Sequence, residues 1–262
     1  MRELTNLSLF SGIGGLDLAA ERAGFRTIGQ CEWAEYPRAV LEKHWPGLPR
    51  WRDIRTLTGD DFYAQTGLRT VTVLSGGFPC QPFSTAGKRR GKDDDRYLWP
   101  EMLRVIQEIR PAWVVGENVA GIVSMALDTV LSDLESIGYA CQAFVIPACA
   151  VDAPHRRDRV AIVANDSCIG FKRMRWVREQ VCKSRFEEKV FDGHRDFALP
   201  DTTWWNPEPD VCRVVHGVPN RVDRLKCLGN AVVPQQFYPI FRAIADLEVS
   251  KWENTQSAGC GL

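Results

Sequence analysis

The stretch LSLFSGIGGLDLAAERAGFRTIGQC, residues 7–31, decides the predicted fold. It begins with a short apolar run, Leu7–Phe10, that leads into a glycine-rich turn. A helical pattern then runs from Leu16 to Ala23 and ends at Gly24, and a second apolar run covers Thr27–Cys31. Strand, glycine-rich turn, helix and strand in this order are typical of a βαβ unit with two parallel strands.

The same alternation continues further along the chain. The pattern predicts helices over 37–44, 98–109 and 127–137, and strands over Val71–Ser75, Trp113–Val115, Ala143–Ile146 and Val160–Ala164. Alternating elements of this kind favour an α/β fold with a Rossmann-like, mainly parallel sheet and helices on both of its faces.

The character of the sequence changes after Ala164. Residues 172–189 are rich in basic side chains, residues 199–219 contain four prolines and little periodicity, and Pro234–Leu247 has the pattern of a closing helix. We therefore predict an α/β domain over 1–165, a small irregular insert over 166–217, a return to the domain over 218–250 and a loose tail over 251–262.

The composition does not exclude a nucleic-acid partner, but it argues against several kinds of site. The 33 Lys and Arg residues balance 33 Asp and Glu residues, so any nucleic-acid surface must be a local patch. The nine cysteines include no C-x-x-C pair, which disfavours a zinc site, and their odd number disfavours a disulfide framework. No signal-peptide pattern and no run of about 18 apolar residues is present, so we expect a cytoplasmic location and no membrane span.

The glycine-rich turn and the end of the second strand are candidates for a nucleoside site. Glycines let the backbone approach such a ligand, although the spacing is not G-x-G-x-x-G and a tight strand-to-helix turn would explain them as well. Glu32 stands where α/β nucleotide folds place a ribose-binding acid, and Trp33 offers an aromatic face. Taken singly, an acid such as Glu32 is more often a solvated charge, and a tryptophan such as Trp33 is more often a core residue.

A cysteine in the stretch GGFPCQPFSTAG, residues 76–87, is a candidate nucleophile. Pro79 and Pro82 exclude a helix here, so Cys80 lies on a stiff loop after a predicted strand. Glu117 follows another predicted strand, and sites in open α/β sheets lie at these strand ends. Cys80 and Glu117 could thus face one substrate as nucleophile and acid, whereas alone Glu117 would be read as a surface acid.

The basic run HRRDR, residues 155–159, is the remaining candidate. Such a run is usually a solvated face. If Arg157 and Arg159 alternate along an extended chain, both side chains point the same way and could bind a phosphate, a carboxylate or a carbonyl.

Five separated stretches, in this order, resemble the DNA cytosine-5 methyltransferase family. They are LFSGIGGLD (9–17), GFPCQPFS (77–84), ENV (117–119), RRDR (156–159) and RLKCLGNAVVP (224–234). The resemblance covers Leu4–Ala164 and Arg221 to Ile244, and the phrase VDRLK (222–226) is similar to phage and prophage members. The chain departs from the family at His155, where Gln is common, and in the shortness of its insert.

The resemblance implies that S-adenosyl-L-methionine is the cofactor, that S-adenosyl-L-homocysteine is the product and that no metal takes part. It implies that residues 1–165 form the catalytic and cofactor-binding domain. The cofactor contacts that it implies are Phe10, Ser11, Gly12, Ile13, Gly14, Gly15, Glu32, Trp33, Asp53, Ile54, Pro79, Asn230 and Ala231.

The resemblance also implies the chemistry. The thiolate of Cys80 would add to C6 of a cytosine flipped out of duplex DNA, and methyl transfer to C5 would follow. Glu117 would assist at N3, Arg159 would bind the base carbonyl, and Arg157 would brace the loop.

Double-stranded DNA is the partner that the resemblance implies. The DNA contacts expected from the catalytic loop and the insert are Gln81, Ser84, Lys88, Arg89, Arg90, Lys172, Arg173 and Arg175. The insert would choose the methylated sequence, although a solvated loop and a solvated insert remain alternatives. We expect a monomer, with any restriction endonuclease encoded outside this chain.

Three other functions stay open at this point. A nicotinamide-dependent Rossmann oxidoreductase would share the βαβ start but gives no reason for the Pro-Cys-Gln-Pro loop. A tRNA cytosine-5 methyltransferase would use the same chemistry, but its Cys-Phe-Thr signature is absent from the insert. A DNA-binding module with a decayed site would not need the four catalytic candidates Cys80, Glu117, Arg157 and Arg159.

Overall fold

The computed structural model describes residues 3–79, 97–166, 177, 179 and 221–258. A seven-stranded sheet lies at its centre. The strands are β1 (Thr5–Leu9), β2 (Arg26–Cys31), β3 (Arg50–Trp51), β4 (Val73–Gly76), β5 (Trp113–Val119), β6 (Tyr139–Ile146) and β7 (Arg159–Asp166).

The strands follow the order β3-β2-β1-β4-β5-β7-β6. Neighbours from β3 to β5 pair in parallel, and β7 pairs antiparallel with both β5 and β6. The predicted Rossmann-like, mainly parallel sheet is therefore confirmed. Because the chain adds strands on one side of β1 and then returns to place β4 on the other, a crevice is expected at the carboxyl ends of β1 and β4.

The helices cover the sheet. They are α1 (Gly15–Arg22), α2 (Glu35–His44), α3 (Gly59–Thr66), α4 (Trp99–Ile109), α5 (Ile122–Met125), α6 (Leu127–Ser136), α7 (Arg221–Asn230) and α8 (Pro234–Ala258). Two 3-10 turns, Ile54–Thr56 and Ala148–Val151, complete the described elements.

Apolar side chains cover both faces of the sheet, which accounts for the nearly continuous apolar runs of its inner strands. Successive residues of β4 separate the two cores. Leu74 packs in one cluster with Met102 of α4, and Val73 packs in the other with Leu16 of α1 and Phe241 of α8. The strand ends that carry the candidate residues are thus held between two packed layers.

Strand β5 is longer than predicted, because it runs to Val119 instead of ending at Val115. Its last residues pair antiparallel with β7, with Glu117 opposite Ala161 and Asn118 opposite Val160. Glu117 therefore lies inside a strand and not after it. The polar side chains hid the strand because their backbone pairing comes from residues some forty positions away in the sequence.

The closing helix also differs from the prediction. It begins at Pro234 as expected but continues beyond Leu247 to Ala258, so the loose tail predicted over 251–262 is wrong as far as Ala258. No Gly or Pro follows Leu247 before Gly259, so nothing in the sequence stops the helix earlier. No helix within the described ranges is both long and apolar enough to cross a membrane.

Candidate active site

The glycine-rich turn joins β1 to α1 at the crevice. Gly12 and Gly14 have positive φ angles of 55° and 89°, which L-residues rarely adopt. A Cβ on Gly14 would lie 2.5 Å from the Trp45 ring, whereas a Cβ on Gly12 would meet nothing within 4 Å. The turn is therefore packed on one side and leaves open space beside Gly12.

Glu32 lies beside that open space and holds the turn. Its carboxylate accepts hydrogen bonds from the backbone N–H of Gly12 and from that of Ala34, both at 2.8 Å. A carboxylate can accept about four hydrogen bonds, so these two leave capacity for ligand hydroxyls. The structure brings the predicted ribose-binding acid to the predicted glycine turn.

The other side of this region comes from residues that follow β2 and β3. Trp33 is 61% exposed, and the Arg52 guanidinium lies 5.2 Å from its ring centroid. Asp53 caps the following 3-10 turn by accepting from the Arg55 N–H, and Ile54 is buried in the core. An exposed tryptophan is therefore available as an aromatic surface, unlike the core residue that its type would suggest.

The closing segment between α7 and α8 reaches the same turn. A Cβ on Gly15 would lie 2.8 Å from the Val232 carbonyl oxygen, so the two backbones touch. The preceding Ala231 N–H donates to the Cys227 carbonyl and ends α7, and Asn230 is exposed. The structure thus places Val232, the residue after Asn230 and Ala231, against the glycine turn, and the cofactor contacts of Asn230 and Ala231 stay predictions.

A buried ion pair occupies the end of β5. The Arg159 Nε atom lies 2.8 Å from a Glu117 carboxylate oxygen, and the two side chains are only 10% and 11% exposed. Burial raises the pKa of Glu117 to about 7, and the charges of Arg159 and Arg157 oppose this rise. Glu117 can therefore carry a proton near neutral pH, as an acid that engages a ring nitrogen must.

The chain that leads into the cysteine loop packs against this pair. A Cβ on Gly77 would lie 2.7 Å from the Glu117 carboxylate, so only glycine allows this approach. Asn118 donates from its side-chain amide to the Phe78 carbonyl at 2.9 Å. The backbone up to Pro79 is consequently fixed beside Glu117, one residue before Cys80.

Arg157 does not alternate with Arg159, and the prediction that both point the same way along an extended chain is wrong. Arg157 has a φ angle of 34°, in the left-handed region. Its guanidinium donates to the carbonyls of Gly229 and Ala231 at 2.7 and 2.6 Å. The contact with the closing segment turns Arg157 away from the extended conformation, while Arg159 begins β7 and faces Glu117.

Comparison with known proteins agrees with this arrangement. A family model for C-5 cytosine-specific DNA methylases matches residues 4–194, more than half of the chain. The chain belongs to this family. The resemblance carried by the five motifs is confirmed, and the nicotinamide-dependent alternative loses its support.

Two curated relatives of the family show how much of such a protein the chain represents. The Type II methyltransferase M.PspPI of Psychrobacter sp. (strain TA137) is 37% identical over 169 residues, which are 62% of this chain and 39% of that protein. The Type II methyltransferase M.HhaI of Haemophilus parahaemolyticus is 28% identical over 212 residues, 77% of this chain and 59% of that protein. The chain therefore matches between about two fifths and three fifths of the length of these relatives.

Solved structures of similar proteins share the fold. A protein of E. coli, described as a DNA modification methyltransferase encoded within a prophage, matches with a TM-score of 0.55 and 25% identity, over 63% of this chain and 47% of that chain. The Dnmt2 methyltransferase of S. pombe matches with a TM-score of 0.59 and 24% identity, over 73% and 57%. The second match supports the fold alone.

Several predicted site residues lie outside the described residues. They are Cys80, Gln81, Ser84, Lys88, Arg89, Arg90, Lys172, Arg173 and Arg175. Within the insert, Val177 is described and is buried in the cluster that contains Phe241 of α8. The roles of all these residues stay predictions.

Sequence reasoning missed a buried polar network under the glycine turn. Asp17 of α1 is fully buried and accepts hydrogen bonds from the Ser8 hydroxyl and the Gln30 amide, both at 2.9 Å. Burial raises the pKa of Asp17 to about 6, and these two hydrogen bonds oppose the rise. The sequence signal for this network was the acid that follows the apolar Leu16 in a family motif. The sequence alone does not show that the side chain of Asp17 turns inward.

The described residues contain no group of three or more His, Cys, Asp or Glu side chains placed to hold a metal ion. The open space beside Gly12, the Glu32 carboxylate and the exposed Trp33 ring instead offer what a nucleoside cofactor requires: close backbone approach, an acceptor for ribose hydroxyls and an aromatic surface. These residues fit S-adenosylmethionine.

Proposed function

We propose that this chain transfers a methyl group to C5 of a cytosine in duplex DNA. The observation that carries the proposal is the buried Glu117–Arg159 pair, which lies against Gly77 at the start of the cysteine loop. The cofactor residues lie at the neighbouring strand ends, within the same chain. A single chain therefore supplies both halves of the site, so we propose a monomer as the catalytic unit, acting on DNA in the cytoplasm of a bacterial or phage-infected cell.

Glu32, the glycine turn and Trp33 would hold the cofactor, with Asp53, Ile54 and Asn230–Ala231 at its borders. Glu32 would bind ribose hydroxyls, and Gly12 would let the backbone approach. S-adenosylmethionine, when bound, supplies an activated methyl group. No metal is needed for that chemistry, because the methyl group already carries a good leaving group.

The remaining residues prepare the base. The Cys80 thiolate would form a bond to C6, and the ring electrons move toward C5 and N3. Protonated Glu117 would donate a hydrogen bond at N3, where negative charge develops, and Arg159 would bind the carbonyl oxygen of the base. After C5 has accepted the methyl group, loss of the C5 proton breaks the bond to sulfur and frees the thiolate.

The base must leave the stack for C6 to be reached. We propose that the loop that carries Cys80, with Lys88, Arg89 and Arg90, closes on the DNA backbone, and that the insert with Lys172, Arg173 and Arg175 contacts phosphates and reads the sequence. Asn118 and Gly77 would fix the near end of that loop.

The test incubates the purified chain with S-adenosylmethionine and one of two substrates, mixed-sequence duplex DNA or tRNA. Each nucleic acid is then digested to nucleosides. Mass spectrometry is expected to find 5-methyl-2′-deoxycytidine in the DNA. The Cys80→Ala variant should form none, whereas Cys149→Ala, which removes an exposed thiol on the 3-10 turn, should retain activity. Methylated cytidine in tRNA alone would instead favour the tRNA enzyme, and activity in Cys80→Ala would contradict the mechanism.

A further inference from the structure

Gln236 is a buried amide in the first turn of α8, and it lies outside all five motifs. Its Nε2 atom donates to the carbonyl of Ile146 at 2.6 Å and to the carbonyl of Arg157 at 3.0 Å. Ile146 is the last residue of β6, and Arg157 lies two residues before β7 begins at Arg159. One side-chain amide therefore joins the two ends of the connection between these strands.

Arg157 makes the return contact. Its guanidinium donates to the carbonyls of Gly229 and Ala231, which lie just before α8. The side chain of Gln236 thus holds the backbone of Arg157, and the side chain of Arg157 holds the backbone that leads to Gln236. We call these four hydrogen bonds the reciprocal clasp.

The clasp connects the two halves of the candidate site. On one side, Val232 of the closing segment touches Gly15 of the glycine turn. On the other side, Arg157 is followed after one residue by Arg159, which pairs with Glu117. Any shift of the backbone at Arg157 would therefore move the guanidinium that faces Glu117.

The backbone at Arg157 needs such an external restraint. Its φ angle of 34° lies in the left-handed region, which residues with a Cβ adopt only when their surroundings stabilise it. A carbonyl oxygen can only accept hydrogen bonds, so the amide nitrogen of Gln236, and not its oxygen, must face both carbonyls. This requirement determines the orientation of the amide. Within the part of the chain that the structure describes, its Oε1 atom has no hydrogen-bond partner, so the two bonds that the amide donates are the ones that hold it.

We propose that Gln236 is a positioning residue for the methyl-transfer site. Through the reciprocal clasp it holds Arg157 in its left-handed conformation, so that Arg159 meets Glu117, and it ties this pair to the segment that borders the cofactor. The inference rests on the proposed function and adds to it a residue that touches neither substrate nor cofactor.

The first test compares Gln236→Met with Asn165→Leu. Methionine and leucine keep the approximate size of the residues they replace and remove the amide donors. Asn165 is a matched control because its side chain is as buried as that of Gln236 and donates to the Ala112 carbonyl at 2.9 Å. It lies on β7, the strand that Arg159 begins, but at the end away from the site. Both variants should unfold more easily than the parent protein.

Kinetics separate positioning from stability. At a temperature where every variant is folded, Gln236→Met should lower kcat about tenfold or more, whereas Asn165→Leu should stay within about twofold of the parent. Equal kcat values for Gln236→Met and the parent would overturn the proposal. An equal loss in both variants would also overturn it, because the effect would then follow from lost stability alone.

A double-mutant cycle with Arg157→Met tests the clasp as a unit. If the two side chains act together, the double variant should lose little more kcat than either single variant, giving a coupling factor of roughly fivefold or more. Independent effects that multiply would contradict the clasp.

Hydrogen–deuterium exchange gives a measurement that does not depend on methyl transfer. Amides between Pro147 and Asp158 should exchange faster in Gln236→Met than in the parent protein, and those in Asn165→Leu should not. If the parent transfers no methyl group, the proposed function fails, while the exchange result still decides whether the clasp holds this connection. Unchanged exchange in Gln236→Met would overturn the clasp.

Discussion

Replacing Glu117 by Gln should remove a pH dependence from the stability of the protein. Burial raises the pKa of Glu117 from 4.5 to about 7. Between these two values the folded protein binds the proton more tightly than the unfolded chain does. The free energy of unfolding of the parent protein therefore falls as the pH rises through this window and levels off above about pH 7.

The size of the effect follows from the same shift. Each unit of pKa difference corresponds to about 1.4 kcal/mol of stability. Most of the fall in the free energy of unfolding occurs between about pH 5 and about pH 8. Relative to Glu117→Gln, the parent protein should therefore lose about 2 to 3 kcal/mol of stability between these pH values. Gln cannot titrate, so the variant lacks this contribution.

Urea unfolding followed by tryptophan fluorescence measures the difference at several pH values. Glu35→Gln is the control, because Glu35 is an exposed acid at the start of α2. This control reports the effect of removing one exposed carboxylate. A difference between parent and Glu117→Gln that stays constant from about pH 5 to about pH 8 would refute the reasoning from burial.

Three further predictions test other parts of the site. Glu32→Ala should weaken S-adenosylmethionine binding by roughly ten- to a hundredfold in calorimetry, since charge-assisted hydrogen bonds are lost, and unchanged binding would contradict its role. Gly15→Ala should lower the melting temperature more than Gly12→Ala. The new Cβ at position 15 would lie 2.8 Å from a backbone oxygen, whereas the Cβ at position 12 would meet only backbone strain. The reverse order would show that the closing segment does not touch the turn. Asn118→Leu leaves the Phe78 carbonyl unpaired and should cost about 1 to 3 kcal/mol of stability and lower kcat, and parental values of both would remove Asn118 from the loop's support.

The sequence predicted the fold where local signals and burial agree. The glycine turn, α1 and β2 follow from residues 7–31, because apolar runs and glycine positions determine them locally. Helix α3 was missed, although Thr58 caps its first turn by accepting from the Asp61 N–H and Gly67 ends it with a φ of 72°. The segment lacks a long apolar stripe, so its caps are the main local signal of this helix.

The sequence predicted candidate residues for the site but not the contacts between them. Glu117 and Arg159 stand in motifs, yet their contact depends on the antiparallel pairing of β5 with β7. The conformation of Arg157 depends on carbonyls more than seventy residues away in the sequence, and the burial of Gln236 depends on the docking of α8. Such long-range contacts leave no periodic signal in the sequence around either residue.

Trapping the enzyme on DNA that contains 5-fluorocytosine tests the central claim most directly. Fluorine at C5 cannot leave as a proton does, so the bond between sulfur and C6 should persist after the methyl group has been transferred. With S-adenosylmethionine present, we expect a covalent complex that is heavier than protein plus oligonucleotide by one methylene unit, because a methyl group is gained and the thiol proton is lost. Peptide mass spectrometry should place the DNA on Cys80. Two results would contradict the account. In the first, the protein methylates ordinary cytosine DNA at C5 but forms no trapped complex on the fluorinated DNA. In the second, the trapped complex is located on another cysteine.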